Sequence, residues 1–413
     1  MSRKGFRPIL IERGADVDAR AKAVEHYWSG GELDERTNVQ FGEGGAGTFS
    51  DGKLNTGTKD IRIRAVLEEF VRFGAKEDIL VNAKPHIGTD LLRSIVKNIR
   101  SEIIAKGGEV RFLTQLVDIN TENGAVKSAV VSSDGARYEI DTDKIVLAIG
   151  HSARDTFGML KSKGVKMEQK AFSIGARIEH TQEFISNAMY GEAAKILPPA
   201  DYKLAVHLEN GRGFYTFCMC PGGYVVAAAS ERGTIVTNGM SYSDRGGKNA
   251  NSAVLVGVTP SDYGSDDPLA GMYLQQEIEK RAFEIGGGKA PCQTVGSFLD
   301  KTRKNEPTTV FPTYKNEACF TEIGGIFPDF IYKSMKSGLL LMNKKLSGFA
   351  ANDAVLTAPE TRSSSPVRLV RSENSELSIH GLYTAGEGGG HAGGITSAAV
   401  DGIKAAEAIA RKG

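Results

Sequence analysis

Residues 381–413 read GLYTAGEGGGHAGGITSAAVDGIKAAEAIARKG. Three pieces follow one another: a short strand at Leu382 and Tyr383, a glycine-rich turn from Gly386 to Gly394, and an amphipathic helix opening at Thr396. Ala399, Val400, Ile403, Ala406 and Ala410 recur at helical spacing and predict one buried face. Thr396 or Ser397 is placed to cap the helix start, and Gly413 follows Lys412 as a stop. A glycine turn feeding a helix N-terminus presents unpaired N–H groups and the positive end of the helix dipole. That combination predicts an anion site, for phosphate or an electron-rich ring edge. An ordinary strand-to-helix connection needs one or two glycines, and six stand between Gly386 and Gly394.

Working outward, the start of the chain supplies a second piece of the same kind. Arg3-Lys4-Gly5 has the form of a helix end with its glycine stop, and Phe6 to Ile11 predicts a buried strand ending in Glu12. In a dinucleotide-binding βαβ unit an acidic residue at that place accepts hydrogen bonds from the adenosine ribose. The strand and G-x-G-x-x-G turn that would come before it are expected upstream of Met1. Gly42-Glu43-Gly44-Gly45-Ala46-Gly47 fits the same pattern letter for letter. It is nevertheless rejected as the fingerprint, because TFSDGKLNTGTKD after it is too rich in turn formers to open a long helix. It is kept as a ligand loop: the amides of Gly44, Gly45, Gly47 and Thr48, the hydroxyls of Thr48 and Ser50, and Lys53 can line an anionic or flavin-sized ligand.

Residues 89–150 form one block. Thr89 is the expected cap of an amphipathic helix whose buried stripe is Leu92, Ile95, Ile99 and Ile103, ended by Gly107-Gly108. Strand-like runs follow, with Asn123-Gly124 and Asp134-Gly135 as hairpin signals between them. Leu147 to Gly150 is apolar and ends in a glycine, where backbone can approach a cofactor closely. Leu116 or Val117 is placed to border an adenine ring. From about Gln169 to Phe349 the pattern changes to short strands with two helical stretches, Met272 to Phe283 and Tyr332 to Leu346, and predicts an inserted, mainly β domain. A ligand between two such domains is the expected arrangement.

Composition bounds the rest. The 413 residues leave room for two or three domains and a core that needs no disulfides. Lys and Arg number 51 against 50 Asp and Glu, which argues against a nucleic-acid partner or an anionic membrane. MSRKGFRPILIERG has no apolar stretch after its charges, no run is long enough to span a bilayer, and four cysteines suggest a reducing compartment. A cytoplasmic ligand-binding protein is expected. Cys218-Met219-Cys220 puts two thiols on one side of a strand but lacks a second pair at metal spacing. Packed free thiols are expected there, with a redox pair as the alternative. His180 and His207 are expected to be structural, and no metal is expected.

Taken together, RPILIERG (7–14), NVQFGEGGAGTFSDGKL (38–54), KIVLAIGHSARDTF (144–157), FSIGARIEH (172–180) and GLYTAGEGGGHAGG (381–394) resemble FAD-dependent oxidoreductases related to glutathione reductase and fumarate reductase. The closer resemblance is to a bacterial group of uncharacterised FAD-dependent dehydrogenases. It implies an α/β fold: a doubly wound, Rossmann-like FAD-binding domain, N-terminally truncated, formed by residues 1–165 and 356–413 around an inserted substrate domain, 166–355. It also implies FAD as cofactor, with Glu12 and Arg13 at the adenosine ribose, Glu387 on the ribityl chain, and Gly386, Gly393, Gly394 and Ile395 near the flavin ring and pyrophosphate, beside Gly150. The implied activity is hydride or electron transfer between flavin and an organic substrate, with NAD(P)H as a candidate electron partner. His391 is the first candidate for a catalytic acid, and Lys53 the second. A non-redox flavin-binding protein, or an incomplete gene product binding FAD weakly or not at all, are the alternatives.

Overall fold

The computed structural model describes residues 1–412, so the expected helix stop at Gly413 lies outside the described residues. The fold is α/β, and two contrasting sets among its strands frame the site. The larger is a seven-stranded sheet in the order Ala318–Phe320, Ala290–Thr294, Val355–Glu360, Phe172–Thr181, Asn249–Val258, Gly213–Cys220 and Ala205–His207. Only the first two are parallel; every other neighbour is antiparallel. Phe172–Thr181 and Asn249–Val258 pair over ten residues without a slip. Nearly all of their residues are buried, because helices and loops cover both faces. Helix Asp329–Lys345 seals one face through Ile331, Met335, Leu339 and Met342, in one core with Phe214, Val254 and Val256. Gly338 lets it approach: a Cβ there would lie 2.1 Å from the Phe214 ring.

The smaller set consists of two parallel pairs. Ile9–Ile11 runs beside Glu109–Arg111, and Ile145–Leu147 beside Leu382–Thr384. The second pair joins residues more than 230 positions apart and so closes an interrupted unit. Between these strands lie helix Val17–Trp28, helix Thr89–Ala105 and an antiparallel meander of Thr114–Glu122, Ala125–Ser133 and Ala136–Asp141. The meander turns at the expected dipeptides, where Asn123, Gly124, Asp134 and Gly135 all take positive φ (52°, 78°, 47° and 80°), as a tight hairpin requires. None of the described helices is long and apolar enough to cross a membrane.

Several expectations change. The first strand is Ile9–Ile11 rather than Phe6 to Ile11, and Ile9 and Leu10 are 42% and 44% exposed. Among the described residues only Glu109–Arg111 pairs with it, so its second edge is uncovered. Val146 of the other pair is 39% exposed for the same reason. Thr89 does not cap its helix, since Gly88 holds the cap position and the Thr89 hydroxyl donates to the carbonyls of Thr48 and Ser50 (2.9 and 3.0 Å). The final helix runs from Ile395 to Lys412 and buries Thr396, Val400, Asp401, Ala405, Ala408 and Ile409, a face rotated from the one expected. Leu116 and Val117 lie inside a strand, at a bulge between Leu116 and Asp118, and not at its end.

Candidate functional site

Three strands end at one place. Parallel pairing sends the turns after Leu147 and after Thr384 out of the same end of their sheet. Arg13, two residues past Ile11, reaches that end by donating to Asp155 (2.8 Å) and Thr156 (3.3 Å) while its guanidinium lies 4.2 Å from the Phe41 ring centroid. Ligands of parallel α/β sheets bind outside the carboxyl ends of strands, and Glu12–Arg13, Gly150–His151 and Gly386–Glu387 stand there together. Glu12 Oε1 accepts the amides of Gly14 and Gly42 (2.8 and 3.0 Å), which ties the first strand to the glycine loop.

The loop from Gly42 is held open by a residue the sequence did not announce. Arg20 on helix Val17–Trp28 is fully buried and donates to the carbonyls of Asn38, Val39, Gly42, Glu43 and Gly45, at 2.7–3.1 Å. Burial pulls its guanidinium down to about 10, so it stays charged at neutral pH. With the loop's carbonyls drawn onto one cation, the loop keeps its curvature without a long helix after it; only a short 3-10 turn, Ala46–Phe49, follows. Gly44 is confined, since a Cβ would lie 2.2 Å from Thr48 Oγ1, while Gly45 faces open space. Ser50 Oγ donates to the Gly47 carbonyl (2.7 Å) and accepts from the Gly52 amide (3.1 Å).

This loop touches the last helix. A Cβ on Gly47 would meet Ile395 Cγ1 at 3.0 Å, and the buried Thr396 hydroxyl donates to the Leu54 carbonyl (2.7 Å). Neither Thr396 nor Ser397 caps the helix in the expected way; Ser397 Oγ accepts from the Gly393 amide (3.3 Å) and donates to the Gly394 carbonyl (3.0 Å). The first-turn amides at Ile395 to Ser397 therefore keep the unpaired character of a helix start. Asp401 fixes the turn from behind, accepting from Gly386 N (2.8 Å) and from Arg371 (2.7 and 2.9 Å).

Not all the glycines of this turn serve the same end. Gly388 is structural, since a Cβ would lie 2.6 Å from the Gly150 carbonyl, whereas Gly150 itself, at φ 67°, faces open space, as does Gly393, and a Cβ on Gly394 would meet only Ser397 Oγ at 3.9 Å. The open glycines border the cradle. His151 is a second residue the sequence reading missed: it is buried, Nδ1 faces Glu387 Oε1 at 3.3 Å, and Nε2 has no polar partner among the described residues. A buried imidazole with Nε2 unpartnered, beside open glycines and an exposed helix start, fits a polar, flat, anionic group such as FAD. Its signal was available, since it directly follows the strand-ending Gly150.

His391 is tethered through Nε2 to the Leu369 carbonyl (2.9 Å), and burial lowers its pKa, so it is neutral at pH 7. Lys53 turns away from the cradle toward the seven-stranded sheet, pairing with Asp51 (2.7 Å) and donating to the Met219 carbonyl. His180 is structural, as expected: it packs against Phe184 and Phe349, contacts the Phe349 carbonyl (2.8 Å), and burial pulls it down to about 4. Val117 is half-buried, away from these contacts. No group of three or more metal-binding side chains occurs among the described residues.

The sheet and the cradle are cross-linked by a buried cluster. Glu279 accepts two bonds from Arg154 (both 2.9 Å), two from Arg362 (3.0 and 3.1 Å) and one from Thr361 (2.6 Å). Burial alone would raise its pKa, but Arg362 and Arg154 hold it down to about 2.

Residues 171–363 match the family described as "FAD-dependent protein, C-terminal domain-like". An uncharacterized protein of Clostridium beijerinckii is 49% identical over 418 residues, which cover 100% of this chain and 78% of that protein. Among solved structures, an oxidoreductase from Methanosarcina mazei is similar with a TM-score of 0.31 and 14% identity, over 76% of this chain and 54% of that one. This chain thus spans little more than half the length of that oxidoreductase. An E. coli quinol fumarate reductase chain is similar with a TM-score of 0.38 and 11% identity, over 98% of this chain and 71% of that one. With 49% identity to the Clostridium protein along its whole length, the chain belongs to that protein's family; its residues 171–363 match the FAD-dependent C-terminal domain, and FAD is its cofactor.

Proposed function

We propose that the protein is an FAD-dependent oxidoreductase acting on an organic substrate held between the cradle and the seven-stranded sheet. One observation carries the reading: the open glycines at 150 and 393, the amides opening helix Ile395–Lys412 and the unpartnered Nε2 of His151 border one place. FAD supplies the two-electron centre when bound. Glu12 and Arg13 hold its adenosine end, and Glu387, with His151 beside it, holds the ribityl chain. The loop of Gly44, Gly45, Gly47, Thr48 and Ser50 closes over its middle. The helix start at Ile395 places partial positive charge where negative charge accumulates on reduction. His391, neutral and donating through Nε2 to the Leu369 carbonyl, has Nδ1 unprotonated and placed to accept a proton. The expected boundaries 1–165, 166–355 and 356–413 shift at the second junction, since strand Val355–Glu360 belongs to the seven-stranded sheet and the return to the cradle begins after it. NAD(P)H is the candidate electron partner and the cytoplasm the working compartment.

The test is the visible absorption spectrum of the purified chain before and after addition of FAD. A flavin band that survives desalting, and bleaches anaerobically on addition of NADPH or NADH, is the expected outcome. A chain that stays colourless at saturating FAD would sink the reading.

A further inference from the structure

Strand Gly213–Cys220 breaks its pairing with Asn249–Val258 between Phe217 and Cys220. Within the break Cys218 takes φ 44°, left-handed backbone that a side-chain-bearing residue rarely adopts. This bulge re-aims a side chain, and it does so at Cys218-Met219-Cys220. Cys220, two residues on, turns its thiol back toward Cys218 and donates to the Cys218 carbonyl (3.3 Å). Two cations face the pair from different elements: Lys53, bonded to the Met219 carbonyl, and the fully buried Arg177, bonded to the Cys218 carbonyl. Asp51 and Glu360 are the carboxylates of the surroundings, paired with Lys53 (2.7 Å) and Arg177 (3.2 Å).

A second observation points to a ligand. Asn251, directly opposite Cys220 across the sheet, is fully buried, and neither its Oδ1 nor its Nδ2 has a partner among the described residues. A buried carboxamide with four unused hydrogen-bonding positions is unfavourable unless something polar comes to it. The site also has an edge on solvent, since Cys218 is only partly buried and the Lys53 side chain is 34% exposed.

We propose that Cys218 and Cys220 form a thiol–disulfide exchange site, with Cys218 as the attacking thiol, Cys220 as the resolving thiol, and a low-molecular-weight disulfide as the oxidant. The Cys218 thiolate attacks one sulfur of the incoming disulfide, forming a mixed disulfide and releasing one thiolate, which takes up a proton. Cys220, after losing its proton, attacks Cys218 Sγ, forming the Cys218–Cys220 bond and releasing the second thiol. Two protein thiols and one disulfide thus become one protein disulfide and two small thiols. Protonation follows the same division of labour. The Cys220 hydrogen bond, opposed by burial and helped by the charges of Lys53 and Arg177, lowers the Cys218 thiol to about 6, while Cys220 is raised. Burial pushes Cys292 up to about 12 and raises Cys319, so those two thiols remain unreactive.

The test needs no flavin and therefore stands apart from the reading of the cradle. The full chain is incubated at neutral pH with oxidised glutathione, quenched with acid, denatured and alkylated, and the tryptic peptide 213–232, which holds only these two cysteines, is weighed. The expected result is loss of both alkylation sites and a mass lower by about 2 Da than the reduced peptide, reversed by a dithiol reductant. Cys220→Ser is expected to trap glutathione on Cys218, and Cys218→Ser to take up none. The proposal fails if the wild-type peptide keeps two alkylatable thiols, or if oxidation falls on Cys292 and Cys319. A native alkylation profile of the wild type gives an independent reading. Rapid labelling at Cys218 that falls off only below about pH 6 supports the assignment, and labelling that begins only above the ordinary thiol range, about 8.5, overturns it.

Discussion

The seven-stranded sheet and the two short parallel pairs draw on the same Ile, Leu and Val residues, yet they end in opposite situations. Strand Asn249–Val258 has a neighbour on each edge and cover on each face, and Val254, Leu255 and Val256 are completely buried. Strand Ile9–Ile11 has one neighbour, and its Ile9 and Leu10 are more than two-fifths exposed. Apolar sequence alone does not decide burial; completeness of the hydrogen-bonded neighbourhood does. The saturated sheet is a rigid wall. The unsaturated pairs carry their loops, Glu12 to Gly14 and Gly150 to Ala153, at the site.

The strongest way to break this comparison is to cut what joins its halves. Glu279→Gln leaves Arg154 and Arg362 buried without their shared carboxylate and is expected to destabilise the protein by about 3–5 kcal/mol in denaturant unfolding. The pH dependence has a definite sign. The folded-state value of Glu279, about 2, lies below its ordinary 4.5, so its contribution is complete above pH 4.5 and disappears as the pH falls toward 2. An acid-unfolding curve of wild type that is flat across that window, or that matches the variant's, would contradict the assignment.

Truncations measure the contrast itself. Leu356→Ala, in the completely buried strand Val355–Glu360, is expected to cost about 2–5 kcal/mol, whereas Leu10→Ala stays within about 0.5 kcal/mol. Equal costs would show that the edge of Ile9–Ile11 is covered in solution. The glycine turn permits a finer division. Gly388→Ala forces a methyl group to within 2.6 Å of the Gly150 carbonyl and should lower thermal stability with or without FAD. Gly393→Ala meets nothing within 4 Å and should leave the apoprotein unchanged while weakening FAD binding, read by flavin fluorescence titration. His391→Gln is expected to leave unfolding and FAD retention unchanged and to slow only a proton-dependent step of turnover, by roughly 100-fold.

Much of the scaffold was legible from local chemistry. Asn123-Gly124 and Asp134-Gly135 fixed the meander because left-handed backbone at paired turn positions admits few other residues. The glycine turn before the last helix was legible for the same reason. The buried face of that helix was not. Alanine at 398, 399, 405, 406, 408 and 410 makes almost any rotation look apolar, and burial of Asp401 depends on Arg371 and the Gly386 amide, distant in sequence or across a turn. Thr89 had the residue type of a cap, but its hydroxyl was claimed by the carbonyls of a loop 40 residues earlier. Nothing in the local sequence marks Arg20 or Glu279 as buried. Their burial follows from carbonyls and guanidiniums that tertiary folding alone delivers, and one-dimensional spacing carries no trace of that.

The pairing of Ile145–Leu147 with Leu382–Thr384 also has a meaning for synthesis. While the ribosome extends the chain from residue 147 to residue 384, Ile145–Leu147 has no strand to bond. The seven-stranded sheet lies wholly between those points, from Phe172 to Glu360, and has every strand it needs before the pair can form. The interior of the protein is thus the first part able to mature, and the cofactor cradle is the last. A truncated translation product stopping near residue 370 would present a finished sheet carrying an open nucleotide site, and quality control would meet it as a flavoprotein unable to retain flavin.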